Sequence, residues 1–247
     1  MTVGRAGWAG AVALLGIGLL GTGCTNTVAG VSTHAGQPGA NALTPEQVLP
    51  DGEEVKAAVG NDLPPHSPPM VGDIGVLPNG IRDNSAAAPI ECLGAIAPAM
   101  RISYEVAPVR AAALQDYWNY DSGVVASSAT VAAIKLASSD DAQRLFASFT
   151  QQWRQCEGRT VTMYTHDRSD TELYSKVTEV RTDGPILSAT IISWDNHHTP
   201  QSPVERAVGV QGDVLADAKV ALRPHSQPGT RAIELVKVML RKVSSTN

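Results

Sequence analysis

Between residues 139 and 162 the polar and apolar positions fall into a helix followed by a strand. Ala142, Leu145, Phe146, Phe149 and Trp153 recur at steps of three and four, which is one face of an α-helix. Ser139 is the expected cap, and Asp140 and Asp141 place negative charge in the first turn, where the helix dipole favours it. Gly158 supplies a stop, and residues 160–164 read as strand.

Upstream, Thr44-Pro45-Glu46-Gln47 is a capping box with proline at the first helical position, so a short helix starts there, and 53–59 can make a second. The proline-rich run 64–69 is extended, with His66 in a solvated loop. Residues 89–98 predict a short helix carrying Cys92 inward. Residues 102–114 read as edge strand or mixed structure, because Val106 and Val109 flank a proline, and 130–136 is a clearer strand. Downstream of the central helix the period changes to two. Segments 172–181 and 186–194 flank Asp183-Gly184, a hairpin signal, and Leu187, Ala189 and Ile191 alternate with Ser188 and Thr190. Segments 205–210 and 214–222 flank a second turn, with Val214, Ala216, Ala218, Val220 and Leu222 on one face. Thr230 is the expected cap of a last helix striped by Ile233, Val236, Leu240 and Val243, with Met239 beside them. Hairpins plus long amphipathic helices that need a sheet to cover give an α+β fold in two layers.

Composition narrows the function classes. Hydrophobic content of 43% with 17% charged residues describes a globular chain. A net charge of -5 without a basic cluster gives no reason to expect nucleic acid as a partner. Residues 1–23 are a separate object: Arg5, the apolar run from Trp8 to Leu20 and then small residues form a secretory signal too short for a comfortable membrane span. Cys24 directly after Gly21-Thr22-Gly23 resembles a bacterial lipobox, with Gly21 where leucine is commoner. The expectation is a lipid on Cys24, a flexible tether over 24–43, and a domain over 44–247 facing the extracytoplasmic side of the cell membrane. An ordinary signal peptide with Cys24 incidental is the alternative. With Cys24 acylated, Cys92 and Cys156 remain as an even pair in an oxidising compartment; their disulfide is the leading reading, and two buried free thiols the alternative.

Several of these segments together resemble a known family. The strand 130–136, the run Ser139-Asp140-Asp141-Ala142-Gln143-Arg144-Leu145-Phe146, Trp153-Arg154-Gln155-Cys156 and Gly158-Arg159-Thr160-Val161-Thr162 are similar to the PknH extracellular sensor domain of mycobacterial serine/threonine kinases, a domain that also occurs in lipoproteins of the Lpp and Lpq type. Glu91-Cys92-Leu93-Gly94 and Arg206-Ala207-Val208 fit the same pattern, and the likeness covers roughly 45–243. It implies a twisted antiparallel sheet with helices packed on one side and a cleft proposed to bind a ligand. It also implies two disulfides. Cys92 and Cys156 match the first, whereas Val204 and about Ala221 occupy the positions of the second, which puts the rigidity of the last hairpin in doubt.

Little here carries catalytic chemistry. His197 and His198 beside Asp195 invite a metal, but adjacent residues in a strand point apart, so the expectation is a solvated loop and no metal or cofactor. No Gly-x-Ser-x-Gly elbow or phosphate-cradling glycine loop occurs, and His166 near Asp167 and Asp170 is the one hint of a secreted hydrolase. Phe146, Phe149 and Trp153 are expected in the core. Tyr117, Trp118 and Tyr120, and at a second place Trp194, Asp195, His197 and His198, are the candidate ligand-binding residues, because aromatics with polar tips suit amphipathic ligands. The reading is a non-catalytic envelope lipoprotein that binds a small molecule or envelope component. A structural or protein-interaction lipoprotein is the second reading, and a hydrolase the third.

Overall fold

The strands themselves show why helices cover both sides of the sheet. Along β4 (Ala126–Leu136), Ala132, Ile134 and Leu136 belong to one apolar cluster while Ala129, Val131 and Ala133 belong to another. Successive side chains of a strand point to opposite faces, so both faces are dry. The computed structural model describes residues 43–165 and 170–245; the signal, the tether up to residue 42 with Cys24, His166 and Asp167 lie outside the described residues.

Nine antiparallel strands form one sheet among the described residues. They are β1 (Met70–Gly72), β2 (Ala87–Ala88), β3 (Val109–Trp118), β4, β5 (Thr160–Tyr164), β6 (Glu172–Asp183), β7 (Ile186–Asp195), β8 (Ser202–Gln211) and β9 (Val214–Leu222), in the order β1-β3-β4-β9-β8-β7-β6-β5-β2. Both expected hairpins are present. The segment 102–114 resolves into a short helix, α4 (Arg101–Tyr104), and then β3, which is flanked by β1.

On the first face lie α3 (Leu93–Ile96), α4 and α5 (Ser139–Cys156). All five expected stripe residues of α5 are buried, each large one contributing about 1.5–3 kcal/mol. The cap is Ser138, one residue earlier than expected, whose hydroxyl oxygen accepts from the Asp141 amide at 3.1 Å. Gly158 follows the helix with φ of 81°, a left-handed position that glycine takes without strain. Cys156, the last residue of α5, forms a disulfide with Cys92, which ties the helix end to the segment leading into α3. The same face buries an ion pair: Arg206 donates to Asp217 at 2.5 Å and to the carbonyls of Ala218 and Gly94, while Asp217 accepts from the Ala99 amide and the Tyr104 hydroxyl.

On the second face lie α1 (Pro45–Val48), α2 (Gly52–Val59) and α6 (Arg231–Ser244). The α+β class and antiparallel sheet are as the sequence implies; the helices, expected on one side, are divided between both. The cause is the two-sided apolar character of β4, β8 and β9. α6 seats against β8 at Gly209, where a Cβ would come within 2.4 Å of Val236 Cγ1. Thr230 stands at the cap position of α6 without a side-chain cap bond. Glu205 of β8 does that work: its carboxylate accepts from the Gly229, Arg231 and Ala232 amides and from the Arg231 guanidinium. Val204 and Ala221 are direct cross-strand partners in the centre of the sheet. The last hairpin therefore keeps its register through neighbours on both sides and a core on both faces, without the second disulfide.

Candidate functional site

The second face is only partly covered. α6 rests on β8 and β9 and touches β7, and α1 reaches β3 and β4, but no described helix packs on β5 and β6 there. Val161, Val177 and Ile191 point into the first-face core, so their neighbours in each strand stand on the open side. Register then sets them in rows: Thr162, Tyr174 and Trp194 in one, Thr160, Lys176 and Ile192 in the next, Thr178 and Thr190 in a third.

Tyr174 and Trp194 are adjacent cross-strand partners with ring centroids 5.5 Å apart and planes inclined by 30°, giving a broad half-buried surface. The Tyr174 hydroxyl donates to the Glu172 carboxylate, which holds the phenol's titration above its ordinary value, with partial burial adding to it. Lys176 is exposed beside them. Where this face meets the start of α6 there is a hollow of about 240 Å³ lined by Glu179, Arg181, Ser188, Thr190, Thr230 and Ile233.

The loop after β7 closes one end. Asp195 accepts from the backbone amides of His197 at 2.8 Å and Thr199 at 3.2 Å. Desolvation raises its proton affinity, and these bonds outweigh it, leaving the carboxyl below its usual range. His197 Nε2 lies 3.1 Å from Thr171 Oγ1, and His198 takes a φ of 63°. Among the described residues no cluster of three or more His, Cys, Asp or Glu side chains could hold a metal ion. Asp195 bonds the backbone of His197 and not its ring, so the base-orienting contact of a hydrolytic triad is missing here.

The other candidate residues are elsewhere. Tyr117 is 3% exposed in the second-face core, its hydroxyl donating to the Pro50 carbonyl at 2.9 Å. Trp118, next in β3, points to the opposite face, where the His66 ring stacks on it at 3.7 Å. Tyr120 is exposed, with Arg223 Cζ 6.0 Å from its ring centroid. Trp118 and Trp194 thus lie on opposite faces and four strands apart in β3 and β7, about 19 Å at ordinary strand spacing. The chain does not bring the two predicted groups into one site. Tyr174 and Lys176 escaped the sequence reading, although their alternation with Ser175 and Val177 was the available signal. A shallow groove of about 650 Å³ beside α5, lined by Phe146, Thr150, Gln151, Arg154 and Thr182, was also unforeseen.

Comparison with known proteins places the chain in a family. A crystal structure of the extracellular domain of PknH from Mycobacterium tuberculosis superposes with a TM-score of 0.69 at 17% identity, covering 85% of this chain and 98% of that one, which is a likeness of fold. A putative uncharacterized protein from Mycobacterium smegmatis gives a TM-score of 0.40 at 9% identity, over 84% of this chain and 98% of that one. No curated protein matches. No described helix is long and apolar enough to cross a membrane. The family model described as PknH-like extracellular domain matches residues 41–242, and the chain belongs to that family.

Proposed function

We propose that this chain is a non-catalytic, sensor-like envelope domain, anchored by a lipid on Cys24, that captures an amphipathic ligand on the open face of β5–β7. The observation that carries the reading is the Tyr174–Trp194 pair, standing on a part of the second face that no described helix packs against. Aromatic rings with polar tips, a row of threonine hydroxyls and one free-standing lysine suit a ligand with an apolar side and polar groups. In this reading a signal passes to a partner or ends in sequestration of the ligand.

Native mass spectrometry of the full chain purified from the cell envelope tests this. A bound small molecule is expected, and its loss in Trp194→Ala with the fold retained. Repeatedly ligand-free protein that cross-links to envelope proteins would sink the reading and favour a protein-interaction role. The exposed Trp118, Tyr120 and Val125 at the end of β3 and its following loop are the surface for that second reading. Membrane association that survives Cys24→Ala would exclude the lipid anchor alone and leave the binding face untouched.

A further inference from the structure

The first face of the sheet holds a group of hydrogen-bond donors with no acceptors. Arg206 is 1% exposed; its terminal nitrogens are used on Asp217, Ala218 and Gly94, but Nε is buried without a partner. Trp153, fully buried, lies with its ring centroid 5.2 Å from Arg206 Cζ, and its Nε1 is also unpartnered. Lys219 is the direct cross-strand partner of Arg206 and stands on the same face, partly buried. Among the described residues it makes no ion pair or hydrogen bond.

Charge accounting sharpens the imbalance. Asp217 is committed to Arg206, Tyr104 and the Ala99 amide. Asp116 is two strands away from Lys219 in the same row, and its Oδ1 accepts from Thr130 at 2.6 Å. Burial pushes the Lys219 ammonium below its ordinary range and the Arg206 charge pushes it further, while Asp116 only partly offsets them. A cation and two polar N–H groups are thus left without the acceptors that buried donors ordinarily find. In the next row on this face are Val204 and Ala221, small apolar side chains next to Lys219 along the strands.

We propose that Lys219, Arg206 Nε and Trp153 Nε1 form a receptor for a small anion with a short apolar tail, a carboxylate held by Lys219 with its tail along Val204 and Ala221. The anion supplies the missing acceptor and the missing negative charge together. The site is on the opposite face from Tyr174 and Trp194, so it is independent of the binding surface proposed above.

The test is NMR of the full chain with ¹⁵N-labelled lysine, titrated with butyrate, with inorganic phosphate, and with chloride at matched ionic strength. A saturable shift of the Lys219 side-chain signal with butyrate is expected, weaker with phosphate and absent with chloride. Lys219→Met should lower butyrate affinity by about tenfold or more, the size of one charge-assisted hydrogen bond, and Trp194→Ala should leave it unchanged. If Lys219→Met does not fold, Lys219→Arg keeps the cation, and the wild-type titration still decides. A Lys219 signal indifferent to both anions overturns the proposal. Saturation by phosphate alone overturns the carboxylate assignment, and butyrate affinity unchanged in Lys219→Met overturns the role of the lysine.

Discussion

Removing the carboxylate of Glu205 should unseat α6. Glu205 is 3% exposed and takes four hydrogen bonds: from the Gly229 amide at 2.8 Å, the Arg231 amide at 2.5 Å, the Ala232 amide at 3.2 Å and Arg231 Nη1 at 2.6 Å. Loss of a helix cap alone costs about 1–2 kcal/mol. Breaking a buried ion pair on one side costs about 3–5 kcal/mol, because the remaining charge stays uncompensated. Here the Arg231 side chain is 23% exposed and can be rehydrated, which favours the lower end. Glu205→Ala is therefore expected to lose about 3–4 kcal/mol, and Glu205→Gln, which keeps one acceptor oxygen, about half of that. Urea unfolding followed by far-UV circular dichroism measures it, and an unchanged denaturant slope would assign the loss to the folded state. Combining Glu205→Ala with Arg231→Met should give less than the sum of the two losses. A cost below about 1 kcal/mol for Glu205→Ala, or strict additivity with Arg231→Met, would refute the argument.

Three further outcomes follow from the same geometry. The Cys92–Cys156 bond spans a separation of 64 residues, so Cys92→Ala with Cys156→Ala should lower stability by about 4 kcal/mol in the chain-entropy picture, read as a shift in urea midpoint. Gly209→Ala would press a methyl group to within 2.4 Å of Val236 and 2.8 Å of Leu240, so about 1–3 kcal/mol should be lost by the same measurement; an unchanged midpoint would mean that α6 can slide outward. Burial, with Asp51 and Glu54 adding to it, pushes the Tyr117 phenol up to about 12, whereas an unfolded tyrosine ionises near about 10. Its contribution is present below about pH 10 and is lost as the pH rises through about 12, so Tyr117→Phe should flatten the decline of urea midpoint over that window.

Local pattern carried much of this fold. The stripe of α5 and the turns at Asp183-Gly184 and Gly212-Asp213 were legible because each is settled by neighbours within a few residues. Tyr117 was not, since its burial depends on α1 and on a carbonyl, Pro50, far upstream. The division of helices between both faces was present in β4, where Ala129, Val131, Ala132, Ala133 and Ile134 are all apolar, but such a run gives no hint of which helix covers which side. Thr230 holds the cap position of α6 as expected, but the amides there are satisfied by a carboxylate from β8, which can take over only once the strand lies beside the helix. For the candidate site, Trp194 and the Asp195–His198 turn stood out by residue type, whereas Tyr174 and Lys176 gained meaning only when the register placed them next to Trp194 and Ile192.

Strand order has a consequence for how such a chain can be made. β4 is held on one side by its neighbour in sequence, β3, but on the other by β9, the last strand, with Ala126 opposite Leu222. A chain delivered from its N-terminus has β3, β4 and α5 in hand long before the strand that joins them to the remaining hairpins. Until β9 arrives the sheet has an unsealed seam at β4, and its slow, long-range closure comes at the end of delivery. The sensitive period for this sheet is thus late, when its eight other strands have been delivered and the seam is still open.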